Sequence, residues 1–103
     1  MSWIIDSHED LAWNILQFGR DYTRSVTETR RRESSSDVPQ HNGNTLLGWP
    51  EYQEGRVAVV FATLFATPQR RKHAWERVTY ASFDEAYAIY RRQAELYWEL
   101  CEK

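Results

Sequence analysis

"RVAVVFATLFAT", residues 56–67, decides the fold. From Val57 to Ala66 the run is almost wholly apolar and rich in β-branched and aromatic side chains. It does not alternate, which is the pattern of a strand covered on both faces, as in a parallel sheet. A buried helix is the competing reading, but Gly55 before the run and Pro68 after it set limits that suit a strand.

Near the end of the chain, "SFDEAYAIYRRQAELYWELCEK", residues 82–103, has the pattern of one long helix over 83–102. Ser82 and Glu85 have capping-box spacing. Phe83, Ala86, Tyr90, Ala94, Tyr97 and Cys101 share a face, widened by Tyr87 and Leu100. Upstream, "TLLGWPEYQEG" places Pro50 where a helical turn opens and Gly55 where it closes. Residues 20–44 are polar, with only Tyr22, Val26 and Val38 apolar enough to pack, and the stretch 19–48 reads as a long loop. At the start of the chain, Trp3, Ile4 and Ile5 favour a strand. Leu11, Ile15 and Phe18 recur at helical spacing and Gly19 supplies a stop, so residues 11–18 read as a helix.

Strand, helix, loop, strand, helix is the order of α/β proteins built from βα units on a parallel sheet. At 103 residues the chain is at most one domain. Two strands cannot cover both faces of Val57–Ala66. The expectation is therefore an incomplete α/β domain: the opening of a larger protein, or a subunit that completes its sheet with a partner chain. Apolar surface on the second strand is then left uncovered or is covered by a second copy, which makes a homo-oligomer an expected form.

A net charge of −2 and a pI near 5.9 argue against nucleic acid as a partner. The run Arg30, Arg31, Arg32 reads as a solvated segment. The single Cys101 allows no disulfide within the chain and reads as a packing residue. No apolar run approaches a membrane span and no signal peptide is visible, so the expected location is cytoplasmic.

The chemistry is concentrated in "WIIDSHEDLAW", residues 3–13. Side chains two apart in a strand point the same way, so His8 and Asp10 share a side and Glu9 points away. Imidazole nitrogen and carboxylate oxygen suit zinc and related divalent metals. The carboxyl end of a parallel strand is where α/β proteins place ligands. Against this, a His-x-Asp in a chain of this composition arises by chance about one time in seven. The bland alternative is a surface histidine followed by an aspartate that caps the next helix. His41 and His73 lie in polar connections and do not complete a metal site.

"IIDSHEDLAW" resembles the opening of the membrane dipeptidase (renal dipeptidase-like) family of the amidohydrolase superfamily. That family's first strand ends in Asp-Gly-His-Asn-Asp-Leu-Pro-Trp or close variants. Here Asp6, His8, Asp10, Leu11 and Trp13 match, with Ser7 for Gly and Ala12 for Pro. "PEYQEGRVAVVFATLFATP" is similar to the family's short helix, glycine and second strand, and the helix from Phe83 to its next helix. The resemblance spans nearly the whole chain and is poorest over residues 20–44.

It implies that the chain is the first two βα units of a (β/α)8 barrel. It also implies the N-terminal part of a metallopeptidase that hydrolyses dipeptides with a water activated by two zinc ions. His8 and Asp10 would hold one of those ions. A bridging glutamate, two further histidines and a catalytic aspartate come from later strands in the family and have no counterpart here. The isolated chain is therefore expected to bind zinc poorly and to hydrolyse nothing, with no catalytic residue of its own. The alternative is a small non-catalytic binding or assembly module. Metal identity, substrate side chains and oligomeric state are not fixed by the residues.

Overall fold

The structure, a computed structural model, describes residues 2–103. It is a small mixed α/β fold with short parallel strand pairs and five α-helices. Strand β1 (Ile4–Glu9) lies beside β2 (Val57–Ala62), and β3 (Thr67–Pro68) pairs in parallel with β4 (Thr79–Tyr80). The helices are α1 (Leu11–Phe18), α2 (Val26–Glu33), α3 (Val38–Asn42), α4 (Trp49–Glu54) and α5 (Phe83–Cys101). None is long and apolar enough to cross a membrane among the described residues.

The chain divides into two compact units. One holds the residues up to Ser7 with Arg20–Phe61; the other holds His8–Gly19 with Ala62–Lys103.

In the second unit, α1 stops at Gly19, whose φ of 69° is the left-handed conformation that glycine adopts without a Cβ penalty. Trp13 is the centre of an aromatic cluster. It meets Phe18, Phe65 and Trp75 edge-to-face at 5.5, 6.1 and 6.5 Å between ring centroids. Two buried glutamines stand in for missing ladder partners. Gln17 Oε1 accepts from the N–H groups of Arg77 and Val78, and its Nε2 donates to the Trp75 carbonyl. Gln93 accepts from the Phe65 N–H and donates to the Phe65 carbonyl. Ser82 caps α5 by accepting from the Glu85 N–H, while the Glu85 carboxylate takes the Ala81 N–H.

In the first unit, the segment expected as a loop over 19–48 contains α2 and α3. Ser25 caps α2 by accepting from the Glu28 N–H. The inner face of α2 is polar, which hides it from a hydrophobic-period reading: Thr29 and Glu33 are buried, and Glu33 takes a two-pronged bond from Arg20. Trp49 opens α4 by donating its N–H to the Tyr22 carbonyl. Gly48 stands where a Cβ would lie 2.5 Å from the Arg24 carbonyl oxygen, so only glycine fits that close approach.

Two further expectations are corrected. The second strand ends at Ala62, not Ala66. Thr63 still donates its N–H to the Glu9 carbonyl, and from there side chains of α5 take over, binding the Thr63 carbonyl and the Phe65 peptide groups. Cys101 and Phe83 do not pack; both are exposed.

Candidate functional site

Strand β1 carries His8 near its end, and Asp10 follows as the residue before α1. The structure brings the two side chains together: His8 Nε2 lies 3.4 Å from Asp10 Oδ1. The imidazole is well exposed, at 69 %, and the carboxylate less so, at 38 %. Asp10 does not cap α1 with its side chain. Its backbone carbonyl accepts from Asn14 Nδ2 at 3.0 Å.

The Asp10 carboxylate accepts a hydrogen bond from the Thr63 hydroxyl, one residue beyond β2. The Thr63 N–H donates to the Glu9 carbonyl at 3.0 Å. The Thr63 carbonyl in turn accepts from the Tyr97 phenol at 2.6 Å. The same phenol oxygen accepts from the Ala12 N–H at 3.1 Å, an amide in the first turn of α1 that has no partner within its own helix. Asp10, Thr63, Tyr97 and Ala12 thus form one chain of hydrogen bonds. It ties the turn after β1 to the end of β2 and to α5. Burial pushes the Tyr97 hydroxyl above its ordinary pKa, with the Asp10 charge adding to the effect.

The ligand chemistry can be tested on the geometry. Two donor atoms each about 2.0–2.1 Å from a tetrahedral zinc stand about 3.3–3.4 Å apart. The separation of His8 Nε2 and Asp10 Oδ1 matches that bite. Their donor types fit zinc, and they fill two of the four positions such a site needs. Among the described residues no group of three or more His, Cys, Asp and Glu side chains could hold an ion.

The other histidines have local roles. His41 Nε2 lies 3.4 Å from Asp37 Oδ2, and His73 stacks on Trp75 with centroids 5.8 Å apart. The arginine run is likewise engaged, since Arg31 and Arg32 bind Glu28 and Arg30 donates to the Thr45 carbonyl.

Thr63 and Tyr97 are the residues that a reading of the sequence passes over. Thr63 carries the one hydroxyl inside the apolar run 57–66, which is the signal that marks it. Tyr97 reads only as part of the apolar face of α5.

The class these features define is a small mixed α/β fold whose parallel first strand ends in a His–Asp pair. Comparison with family models, with curated proteins and with solved structures finds no match to this chain.

Proposed function

We propose that the chain is the N-terminal part of a metal-dependent dipeptidase of the membrane dipeptidase type, with β1–α1 and β2–α5 as the opening βα units of a (β/α)8 barrel. The observation that carries this reading is the convergence of His8 and Asp10 at a strand end, with a separation suited to a shared cation.

In this reading His8 Nε2 and Asp10 hold one zinc ion of a pair. The zinc pair supplies Lewis acidity for the dipeptide carbonyl and an activated water for its hydrolysis. The residues of this chain do something narrower. Thr63 fixes the carboxylate rotamer of Asp10 by donating to it, and Tyr97 fixes Thr63 and the start of α1. Such outer partners orient metal ligands and matter to affinity nearly as much as the ligands do. The remaining donors and the catalytic acid–base group come from outside these 103 residues.

The test begins with the coding frame beyond Lys103. Further βα units with Glu and His at strand ends, and a product whose zinc-dependent dipeptide hydrolysis is abolished by His8→Ala, are the expected result. With the 103-residue chain alone, zinc binds weakly, and His8→Ala or Asp10→Ala removes that binding. A frame that ends at Lys103, together with zinc binding indifferent to both substitutions, overturns the proposal.

The second reading, a non-catalytic module that completes itself with another chain, is favoured by one observation. Ile4, Ile5, Val59 and Phe61 of the strands remain exposed.

A further inference from the structure

The connection from β2 to α5, residues 63–82, is charged unlike the rest of the chain. It holds Arg70, Arg71, Lys72 and Arg77 against one carboxylate, Glu76, in a chain whose net charge is −2. Arg70, Arg71, Lys72 and His73 are exposed at its tip, on and just after a single 3-10 turn (Gln69–Arg71). Among the described residues, the side chains of Arg70, Arg71 and Lys72 enter no ion pair and no hydrogen bond. Elsewhere the arginines are matched: Arg20, Arg24, Arg31, Arg32, Arg91 and Arg92 each meet a carboxylate.

The carboxylate of the loop does not neutralise its tip. Glu76 Oε1 accepts from the Thr67 hydroxyl at 3.0 Å, and Oε2 accepts from the His73 N–H at 2.6 Å. Both oxygens are occupied in holding the shape of the loop. The His73 ring lies parallel on Trp75, Trp75 stacks on Phe18 at the end of α1, and Gln17 binds the peptide groups of Trp75, Arg77 and Val78. The cations therefore stand on an anchored backbone, and clustered cations without partners attract an anion from solvent.

The loop starts at the candidate site, where Thr63 donates to Asp10 and to the Glu9 carbonyl. Its tip rests against the far end of α1, a helix of eight residues and about 12 Å that begins directly after Asp10. In a βα barrel the connections that follow the strands form the mouth of the active site. Resting on the reading of this chain as the opening of such a hydrolase, we infer that Arg70, Arg71 and Lys72 select its substrate by charge, favouring dipeptides with an acidic side chain. They act as a field and not as a clamp. At about 0.01 M ionic strength the screening length is roughly 30 Å, well beyond the length of α1, and at about 0.1 M it is roughly 10 Å. The field speeds the encounter with an anion and leaves the chemical step alone, so it raises kcat/KM through KM.

Steady-state kinetics of the full-length product on alanyl-glutamate, alanyl-glutamine and alanyl-lysine tests this. The first two have nearly the same shape and differ by one charge. At low ionic strength kcat/KM for alanyl-glutamate is expected to exceed that for alanyl-glutamine about tenfold, with alanyl-lysine below both. The ratio shrinks toward one in about 0.5 M salt. Arg70→Glu/Arg71→Glu, in a protein with the parent circular dichroism spectrum, brings the glutamate-to-glutamine ratio to one or below. The charge of the bound metal acts equally on parent and variant, so the change in the ratio isolates the loop. A product that hydrolyses these dipeptides with zinc but has no acidic preference, or keeps that preference after the double charge reversal, overturns this inference and leaves the metallopeptidase reading standing. A product that hydrolyses none of them overturns that reading, and this inference with it.

Discussion

The two units of this chain hide their interiors in opposite ways. The unit of His8–Gly19 and Ala62–Lys103 closes on rings and aliphatic side chains around Trp13, Ala66 and Val78, with two glutamines serving backbone groups. In the unit containing Arg20–Phe61, the buried side chains include Arg20, Thr29, Glu33 and Thr45, beside Tyr22 and Val38. The first kind of interior tolerates loss by degrees, through area and cavity. The second depends on pairs, because removing one member strands the other away from water. The difference predicts which substitutions hurt most.

The largest effect is expected at Arg20. Its guanidinium donates to both carboxylate oxygens of Glu33, at 2.8 and 3.0 Å, with the two side chains only 5 % and 11 % exposed. Arg20→Ala leaves Glu33 charged and unpaired and costs about 3–5 kcal/mol in denaturant unfolding. The double variant Arg20→Met/Glu33→Leu recovers most of that loss, since an apolar pair of similar volume needs no partner. Equal losses in the single and double variants would show that packing, and not the pair, holds this region.

The next effect tests the other unit by the same logic. Gln93→Leu keeps the volume but strips the Phe65 N–H and carbonyl of their partners. A loss of about 2–3 kcal/mol is expected. A loss under about 0.5 kcal/mol would mean that the Phe65 backbone finds other partners.

These two sites also mark where the sequence was legible and where it was not. Helix α1 could be read to its last residue, because Leu11, Ile15 and Phe18 follow the period and Gly19 takes the left-handed turn. Helix α5 could be read from its cap and its period, although Phe83 and Cys101, which the period places on the packing face, are exposed. Helix α2 could not be read from hydropathy, because its buried face is Thr29 and Glu33. Its signal was the cap Ser25 followed by Glu28, a spacing that needs no apolar residue. The early end of β2 was also hidden. An apolar run does not reveal that Gln93 and Tyr97, some thirty residues away, will take its backbone groups. At the candidate site, His8 and Asp10 were visible as letters two apart, whereas Thr63 and Tyr97 became visible only through contacts between distant segments.

A smaller effect is expected at Tyr97. Tyr97→Phe removes a donor from the Thr63 carbonyl and an acceptor from the Ala12 N–H, at a cost of about 1–2 kcal/mol. The pH dependence has a definite sign. Burial, and then the Asp10 charge, raise the phenol above its ordinary value of 10.0. The folded chain therefore holds that proton more tightly than the unfolded one, and the linked stability is intact below pH 10 and lost as pH rises through the folded value. Unfolding followed in alkaline buffers should show this decline in the parent chain and a shallower one in Tyr97→Phe. Parallel declines would place the titrating group elsewhere.

The smallest effect sits on the surface of α2, where charge acts without burial. Glu28 is bound by Arg31 at 2.7 and 3.0 Å and by Arg32 at 2.8 Å. The hydrogen bond from Arg31 and then that from Arg32 hold its carboxyl down from 4.5 to about 2. A lowered folded value means that the linked stabilisation is present above pH 4.5 and is lost as pH falls through about 2. Water and salt screen so exposed a group, so the global unfolding curve should scarcely register it. The carbon resonance of the Glu28 carboxyl will register it directly, with a midpoint near 2 that moves back toward the ordinary carboxylate range in Arg31→Ala and, by a smaller step, in Arg32→Ala. An ordinary midpoint in the parent chain would mean that these arginines spend their time in water. The surface of α2 would then contribute nothing to the contrast between its unit, held by pairs, and the other, held by packed rings.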